Sequence, residues 1–213
     1  MRRESESPGG AARCVIVAAG GEPSGRAASL FREELASGAT VVFCDRFDPR
    51  ADFVVGDGDG LDAHQKAMLG DRFIHDPEQD TNDLCKAFRF ALSHFGGGPL
   101  EVSVFGATGA REDHTIGNVF HLPEFESDDV HVRMVTDSGV FSVIRGRGSF
   151  AAEPGDAFSF FAYDPDAKAD SDGLEWPLGG IRLWPPWRAT LNRAVKETVS
   201  VEASSPLIMF RPF

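Results

Sequence analysis

Residues 81–122 read TNDLCKAFRFALSHFGGGPLEVSVFGATGAREDHTIGNVFHL, and this stretch decides the fold class. Leu84, Phe88, Ala91, Leu92 and Phe95 recur at helical spacing, which predicts an amphipathic helix over 81–95. Asp80 or Thr81 is the expected N-cap, and Gly96-Gly97-Gly98 stop the helix. Leu100 to Phe105 is a short apolar run that ends in glycines, so it reads as a buried strand. A second helix is expected from Asp113 to Leu122, with Ile116, Val119 and Phe120 turned inward. Helix, strand and helix in this order imply parallel pairing through crossovers.

The same pattern continues toward the N-terminus. Cys14–Ala19 is a short apolar strand that runs into Gly20-Gly21, and Ala27–Leu35 has helical spacing. Residues 40–45, 51–60 and 71–76 supply further strands that stop at glycine or aspartate. After about residue 128 the pattern changes to short β-like runs separated by turn residues, at 131–139, 140–148, 156–164, 198–205 and 206–213. The expected organisation is a polar tail (1–12), then an α/β N-terminal domain with a mainly parallel sheet (13–127). An all-β, sandwich- or barrel-like C-terminal domain (128–213) follows.

The chain has 213 residues, 33 acidic and 21 basic, for a formal charge of −12. That balance argues against nucleic-acid binding and against a polybasic membrane-surface module. No run approaches the roughly 18 apolar residues of a membrane span. Cys14, Cys44 and Cys85 are scattered without metal-site spacing, which fits a reducing, cytoplasmic setting.

The acidic residues are concentrated. Between Asp45 and Asp83 there are 11 acidic and 4 basic side chains. A solvated acidic face is the plain explanation. Several of these aspartates nevertheless fall at strand C-termini, where open α/β sheets bind ligands. Asp57 and Asp59 lie in the turn Gly56-Asp57-Gly58-Asp59-Gly60, and such hard oxygen ligands suit Mg²⁺ shared with substrate phosphates. Gln79-Asp80-Thr81-Asn82-Asp83 opens the best helix; capping accounts for one of its aspartates and leaves the other for a metal or substrate. In Gly106–Thr115, a glycine turn can free backbone N–H groups for phosphate, and Arg111 can fork onto phosphate oxygens. Two other glycine patterns are decoys. Gly20–Ala27 has Walker-like spacing without the Lys and Ser/Thr, and the 56–60 turn lacks the third glycine of a dinucleotide loop.

Taken in order, these segments resemble the thiamine pyrophosphokinase (thiamine diphosphokinase) family. Asp45 matches an aspartate near the second strand end, and residues 56–60 match a G-D-F-D-S-type turn. Residues 79–83 match a Q/K-D-x-T-D-type helix start. Residues 106–115 match G-x-x-G-G-R-x-D-H-T, with Asn118 following, and 173–178 match G-L-K-W-x-L. The resemblance implies diphosphoryl transfer from ATP to the thiamine hydroxyl, giving thiamine diphosphate and AMP, with Mg²⁺ and a homodimer whose sites lie between subunits. It assigns Asp57, Asp59, Asp80, Asp83 and Arg111 to catalysis, with Asp57, Asp59 and Asp80 on the metal. Asp45, Gln79, Arg111, Asp113, His114, Thr115 and Asn118 would hold the nucleotide, and Trp176, Thr190 and Asn192 the thiamine. The chain departs from the pattern at Gly60 (Ser in the family), Asn82 (Thr), Leu191 (Ser) and in the short segment Arg46–Arg50. Those departures keep two alternatives in view: a diphosphotransferase acting on another alcohol, and a non-catalytic nucleotide or thiamine sensor.

Overall fold

The computed structural model describes residues 10–213. Its strands are β1 (Ala12–Val17), β2 (Thr40–Cys44), β3 (Phe53–Gly56), β4 (Phe73–His75), β5 (Leu100–Phe105), β6 (Val130–Thr136) and β7 (Gly139–Ile144). They continue with β8 (Arg147–Ala151), β9 (Ala157–Ala162), β10 (Ala169–Asp172), β11 (Ala189–Arg193), β12 (Thr198–Ala203) and β13 (Leu207–Pro212). The helices are α1 (Gly25–Ala36), α2 (Ala63–Leu69), α3 (Asp83–Phe95) and α4 (Glu112–Phe125). Of the tail expected at 1–12, residues 1–9 lie outside the described residues, and Ala12 already pairs with Leu100.

One ten-stranded sheet runs in the order β11-β9-β13-β7-β6-β5-β1-β2-β3-β4, and a second of three strands in the order β10-β12-β8. Pairing is parallel from β4 to β6 and antiparallel from β6–β7 onward. The fold is therefore a mainly parallel α/β half followed by antiparallel strands. The parallel strands read as unbroken apolar runs because both faces are covered. Cys14 and Ile16 join a core with Leu84, Phe88 and Leu122 of α3 and α4, whereas Val15 and Val17 join one with Ala27 and Phe31 of α1. The small sheet closes a third core, in which Val199 and Val201 face Phe158 and Phe160.

Several local expectations are corrected. Neither Asp80 nor Thr81 caps α3; Asn82 does, its Oδ1 accepting from Cys85 N at 3.0 Å. Asp80 thus lies before the helix, and Asp83 alone occupies its first turn. Leu92 is exposed, on the second half of α3 where the buried arc narrows to Phe88 and Ala91. Ile116 is 62% exposed, about a quarter turn from the centre of the buried arc formed by Asn118, Val119, Leu122 and Pro123. α2 was not anticipated, although Asp62 and Gln65 form a reciprocal capping box at its start. β10 and β11 were missed as well. The three cysteines are buried and free, and burial pushes the Cys14 thiol up to about 12, so it is an inert packing group. No described helix is long and apolar enough to cross a membrane.

Candidate active site

The strand order reverses at β1, which has β2 on one side and β5 on the other. Open α/β sheets bind ligands beyond the carboxyl ends of strands at such a point. Here the two loops leaving β1 and β5 touch through their backbones. Gly20 N donates to Gly106 O at 2.6 Å, and a Cβ at position 20 would stand 2.3 Å from that oxygen. This close approach explains the glycines at 20 and 106 without any phosphate-loop role for residues 20–27. Gly20→Ala is expected to cost roughly 1–3 kcal/mol, read as a lower urea midpoint. Over the contact lies a cavity of about 200 Å³, lined by Ala18, Gly20, Thr108, Arg111, His114 and Asn118. A neighbouring cavity of about 390 Å³ shares Gly20 and Thr108 and reaches Asp137.

The acidic residues gather beside it, at the ends of β2, β3 and β4. Asp45 follows β2 with φ +40°, and its two carboxylate oxygens accept from Gly58 N and Gly60 N, each at 2.7 Å. It is fully engaged in shaping the β3 turn. Asp57 accepts from Asp59 N at 3.0 Å and from Gln79 Nε2 at 2.9 Å, which fastens the segment after β4 to this turn. These hydrogen bonds, led by the one from Gln79, hold the Asp57 carboxyl below the usual aspartate range.

Lys86, one turn into α3, was not singled out from sequence. Its side chain is only 2% exposed, with Nζ 3.3 Å from Asp83 Oδ1 and 4.0 Å from Asp57 Oδ2. Asp57 and Asp83, far apart in the chain, therefore converge on one buried ammonium. Burial pushes the Asp83 carboxyl above its ordinary range, opposed by Lys86. The sequence signal was present: Lys86 interrupts the apolar group Leu84, Cys85, Ala87 and Phe88, all buried.

Two further contacts organise the helix start. Asn82 Nδ2 donates to Asn118 Oδ1 at 3.0 Å, and Asn118 Nδ2 to Ala107 O at 2.8 Å, tying the carboxylate cluster to the cavity. Glu78 accepts from Thr81 N at 2.8 Å, from Asp80 N and the Thr81 hydroxyl, and from Arg89 at 2.8 Å. The Thr81 hydroxyl and Arg89 hold the Glu78 carboxyl down at about 2, against an ordinary 4.5. A depressed carboxyl stabilises above its unfolded value and stops doing so as pH falls through its folded value. The stability advantage of the native chain over Glu78→Gln should be constant near neutrality. It should vanish between pH 4.5 and about 2, followed by urea unfolding.

The remaining candidates are placed as follows. Asp59 and Asp80 are exposed, and their carboxylates have no hydrogen-bond donor among the described residues. Arg111 precedes α4 and is held by Asp113 at 2.6 and 3.1 Å, with both side chains mostly exposed. Asp113 is lowered to about 2, first by that guanidinium. His114 and Thr115 line the small cavity, and the Thr115 hydroxyl donates to Arg111 O at 3.0 Å. In the C-terminal half, Trp176, Thr190 and Asn192 do come together. They line a separate cavity of about 340 Å³ with Ile181, Arg188 and Leu191. Asn192 is buried and clamps the Trp176 backbone, accepting from its N at 3.2 Å and donating to its O at 2.7 Å. Thr190 donates to Trp187 O. Leu191, at the rim, is 78% exposed with φ +60°.

Residues 31–134 match the family model described as thiamin pyrophosphokinase, catalytic domain, and residues 139–210 match thiamin pyrophosphokinase, substrate-binding domain. The chain belongs to the thiamin pyrophosphokinase family. The match to a catalytic domain makes it an enzyme of that kind. Solved structures agree in fold. The Bacillus subtilis thiamine pyrophosphokinase superposes with TM-score 0.70 at 17% identity, over 94% of this chain and 98% of that one. The Candida albicans enzyme gives 0.75 at 14% identity, over 94% and 90%. The yeast enzyme gives 0.74 at 14% identity, over 97% and 88%. Comparison with curated proteins by sequence gave no match.

Two of the departures from the thiamin pyrophosphokinase motifs, at Gly60 and Asn82, have structural reasons. A serine at position 60 would put its Cβ 2.4 Å from the backbone oxygen of Asp45, whose carboxylate accepts from Gly60 N. Asn82, in place of Thr, supplies both the cap and the amide that reaches Asn118. Among the described residues no three His, Cys, Asp or Glu side chains stand close enough to hold a metal alone, so Asp57, Asp59 and Asp80 are not a preformed cage. The donor chemistry still fits Mg²⁺. That ion is commonly held by one or two carboxylates together with substrate phosphates and water, and Asp57 and Asp83 already converge.

Proposed function

We propose that the chain is an ATP-dependent thiamine diphosphokinase that releases AMP and thiamine diphosphate. The observation carrying this reading is the convergence of Asp83 and of Asp57, itself held by Gln79, on Lys86, beside the cavity at the β1/β5 switch point. Diphosphoryl transfer is mostly a matter of positioning and charge neutralisation, and these groups supply both. Asp57 and Asp83 would hold Mg²⁺ together with phosphate oxygens, and the ion would supply positive charge to the transferring group. Asp59 and Asp80 stay in the proposed set on the family motif alone. Arg111 would exchange Asp113 for the triphosphate, while His114, Thr115 and Asn118 shape the small cavity that takes the nucleotide's other end. Asp45 acts through the turn it holds.

On this reading the 13–127 half handles the nucleotide and the 128–213 half binds thiamine. Trp176, exposed and clamped by Asn192, offers an aromatic face for the thiamine rings. Trp176, Ile181, Trp187 and Leu191 leave an apolar surface open, which supports a homodimer with shared sites. The deciding experiment supplies ATP, Mg²⁺ and thiamine, measures AMP release and identifies the product by mass. AMP and thiamine diphosphate in equal amounts are expected. ADP with thiamine monophosphate would contradict the assignment of the attacked phosphorus. A folded protein that binds ATP but shows no thiamine-dependent product would favour another acceptor or a sensor.

A further inference from the structure

The proposed chemistry gives the buried Lys86 no role of its own. A lysine side chain 2% exposed loses its hydration, and only close carboxylates offset that loss. Its ammonium has donors to spare, yet it is placed between Asp57 and Asp83, on the ground that a divalent ion would take. Of the other cations near the cluster, Arg89 pairs with Asp76 and Glu78, Arg50 pairs with Asp48 and Glu22, and Lys66, beside Gly58, lies over the Phe73 ring and forms no ion pair with Asp57 or Asp83 among the described residues. Lys86 is therefore the local counter-charge of these two carboxylates.

We infer that Lys86 is a resident counter-ion that makes divalent-ion binding depend on nucleotide. With the ammonium in place the two carboxylates carry only one net negative charge. A bare divalent ion arriving there meets a like charge a few ångströms away, in a partly desolvated site where such repulsion is large. Phosphate oxygens would add the missing negative charge and give Lys86 new acceptors. The site would thus stay closed to free metal and accept it as the metal–nucleotide complex. Lys86 is on this account a positioning residue. The inference rests on the reading of Asp57 and Asp83 given above.

The test uses the full chain and Mn²⁺, a hard-oxygen substitute for Mg²⁺. Water-proton relaxation distinguishes Mn²⁺ held by protein from Mn²⁺ on free nucleotide. The added nucleotide is an ATP analogue with a methylene bridge between the α and β phosphates, which this reaction cannot cleave. Mn²⁺ alone should bind the unaltered chain at least about tenfold more weakly than Mn²⁺ with the analogue. Lys86→Met should tighten binding of Mn²⁺ alone about tenfold, and Lys86→Arg, which keeps the charge, should not. Circular dichroism checks the fold, and Lys86→Gln replaces Lys86→Met if the latter does not fold. Equally tight binding with and without analogue, or no tightening in the neutral variants, overturns the role of Lys86 and leaves the carboxylate site standing. No protein-bound Mn²⁺ even with analogue overturns the carboxylate site itself, and the inference with it.

Discussion

Asp57→Asn should lower kcat by about a hundredfold or more while the urea midpoint and the KM for thiamine stay near their native values. The substitution keeps the shape of the side chain and one of its two acceptors, so the hydrogen bond from Gln79 at 2.9 Å survives at the expense of the exposed one from Asp59 N, and it leaves Asp83 on Lys86 at 3.3 Å. What it removes is one negative charge at the point where the β3 turn, the segment after β4 and α3 meet. A structural carboxylate would give the opposite pattern, a lower midpoint with kcat nearly intact. Steady-state kinetics with both substrates varied, beside unfolding of the same preparation, separates the two. A kcat within threefold of native would take Asp57 out of the chemistry.

Phe88→Ala should have the largest effect on stability, about 3–5 kcal/mol. Phe88 is fully buried, stacks on Phe125 of α4 with ring centroids 3.9 Å apart, and shares a core with Ile16, Val102 and Leu122. A fall in melting temperature of about 10 °C is expected in a chain of this size. The loss should also reach the site, because the same helix carries Asp83 and Lys86 on its first turn. Residual activity should therefore decline at temperatures where the native chain is still fully active. A drop below about 1 kcal/mol would mean that the α3–α4 contact closes over the lost ring.

How much of this could be read in the sequence follows from which interactions are local. The parallel half was legible because strands covered on both faces leave unbroken apolar runs bounded by glycine, as at Cys14–Ala19 and Leu100–Phe105. α3 was legible from its period, but its cap was misplaced, since Asp80, Thr81 and Asn82 are all good caps and only the contact with Asn118 favours the last. α2 carries a capping box, Asp62 with Gln65, but the helix has only seven residues, too few for a clear apolar period. β10 (ADSD) and β11 (ATLNR) have no apolar period and exist through their partners β12 and β9. In the site, Asp57, Gln79 and Asp83 were named from motifs and do stand together. Lys86 was not, because a lysine in a helix ordinarily reads as its wet side, and its burial depends on Asp57 arriving from another strand. Asp45, expected at the nucleotide, accepts with both oxygens from the backbone of the β3 turn, thirteen and fifteen residues on, a contact no local pattern announces.

β6 pairs with β5 on one side and with β7 on the other, so the sheet has no seam between the parallel α/β half and the strands that follow. A chain severed in the turn at 137–138 would leave β6 and β7 each with a bare row of amides and carbonyls. Such edges recruit whatever strand is nearest. Either fragment made alone is a candidate for aggregation, and the pair made together is a candidate for reassembly along that one ladder. A tag or fusion partner is accordingly best placed away from this turn.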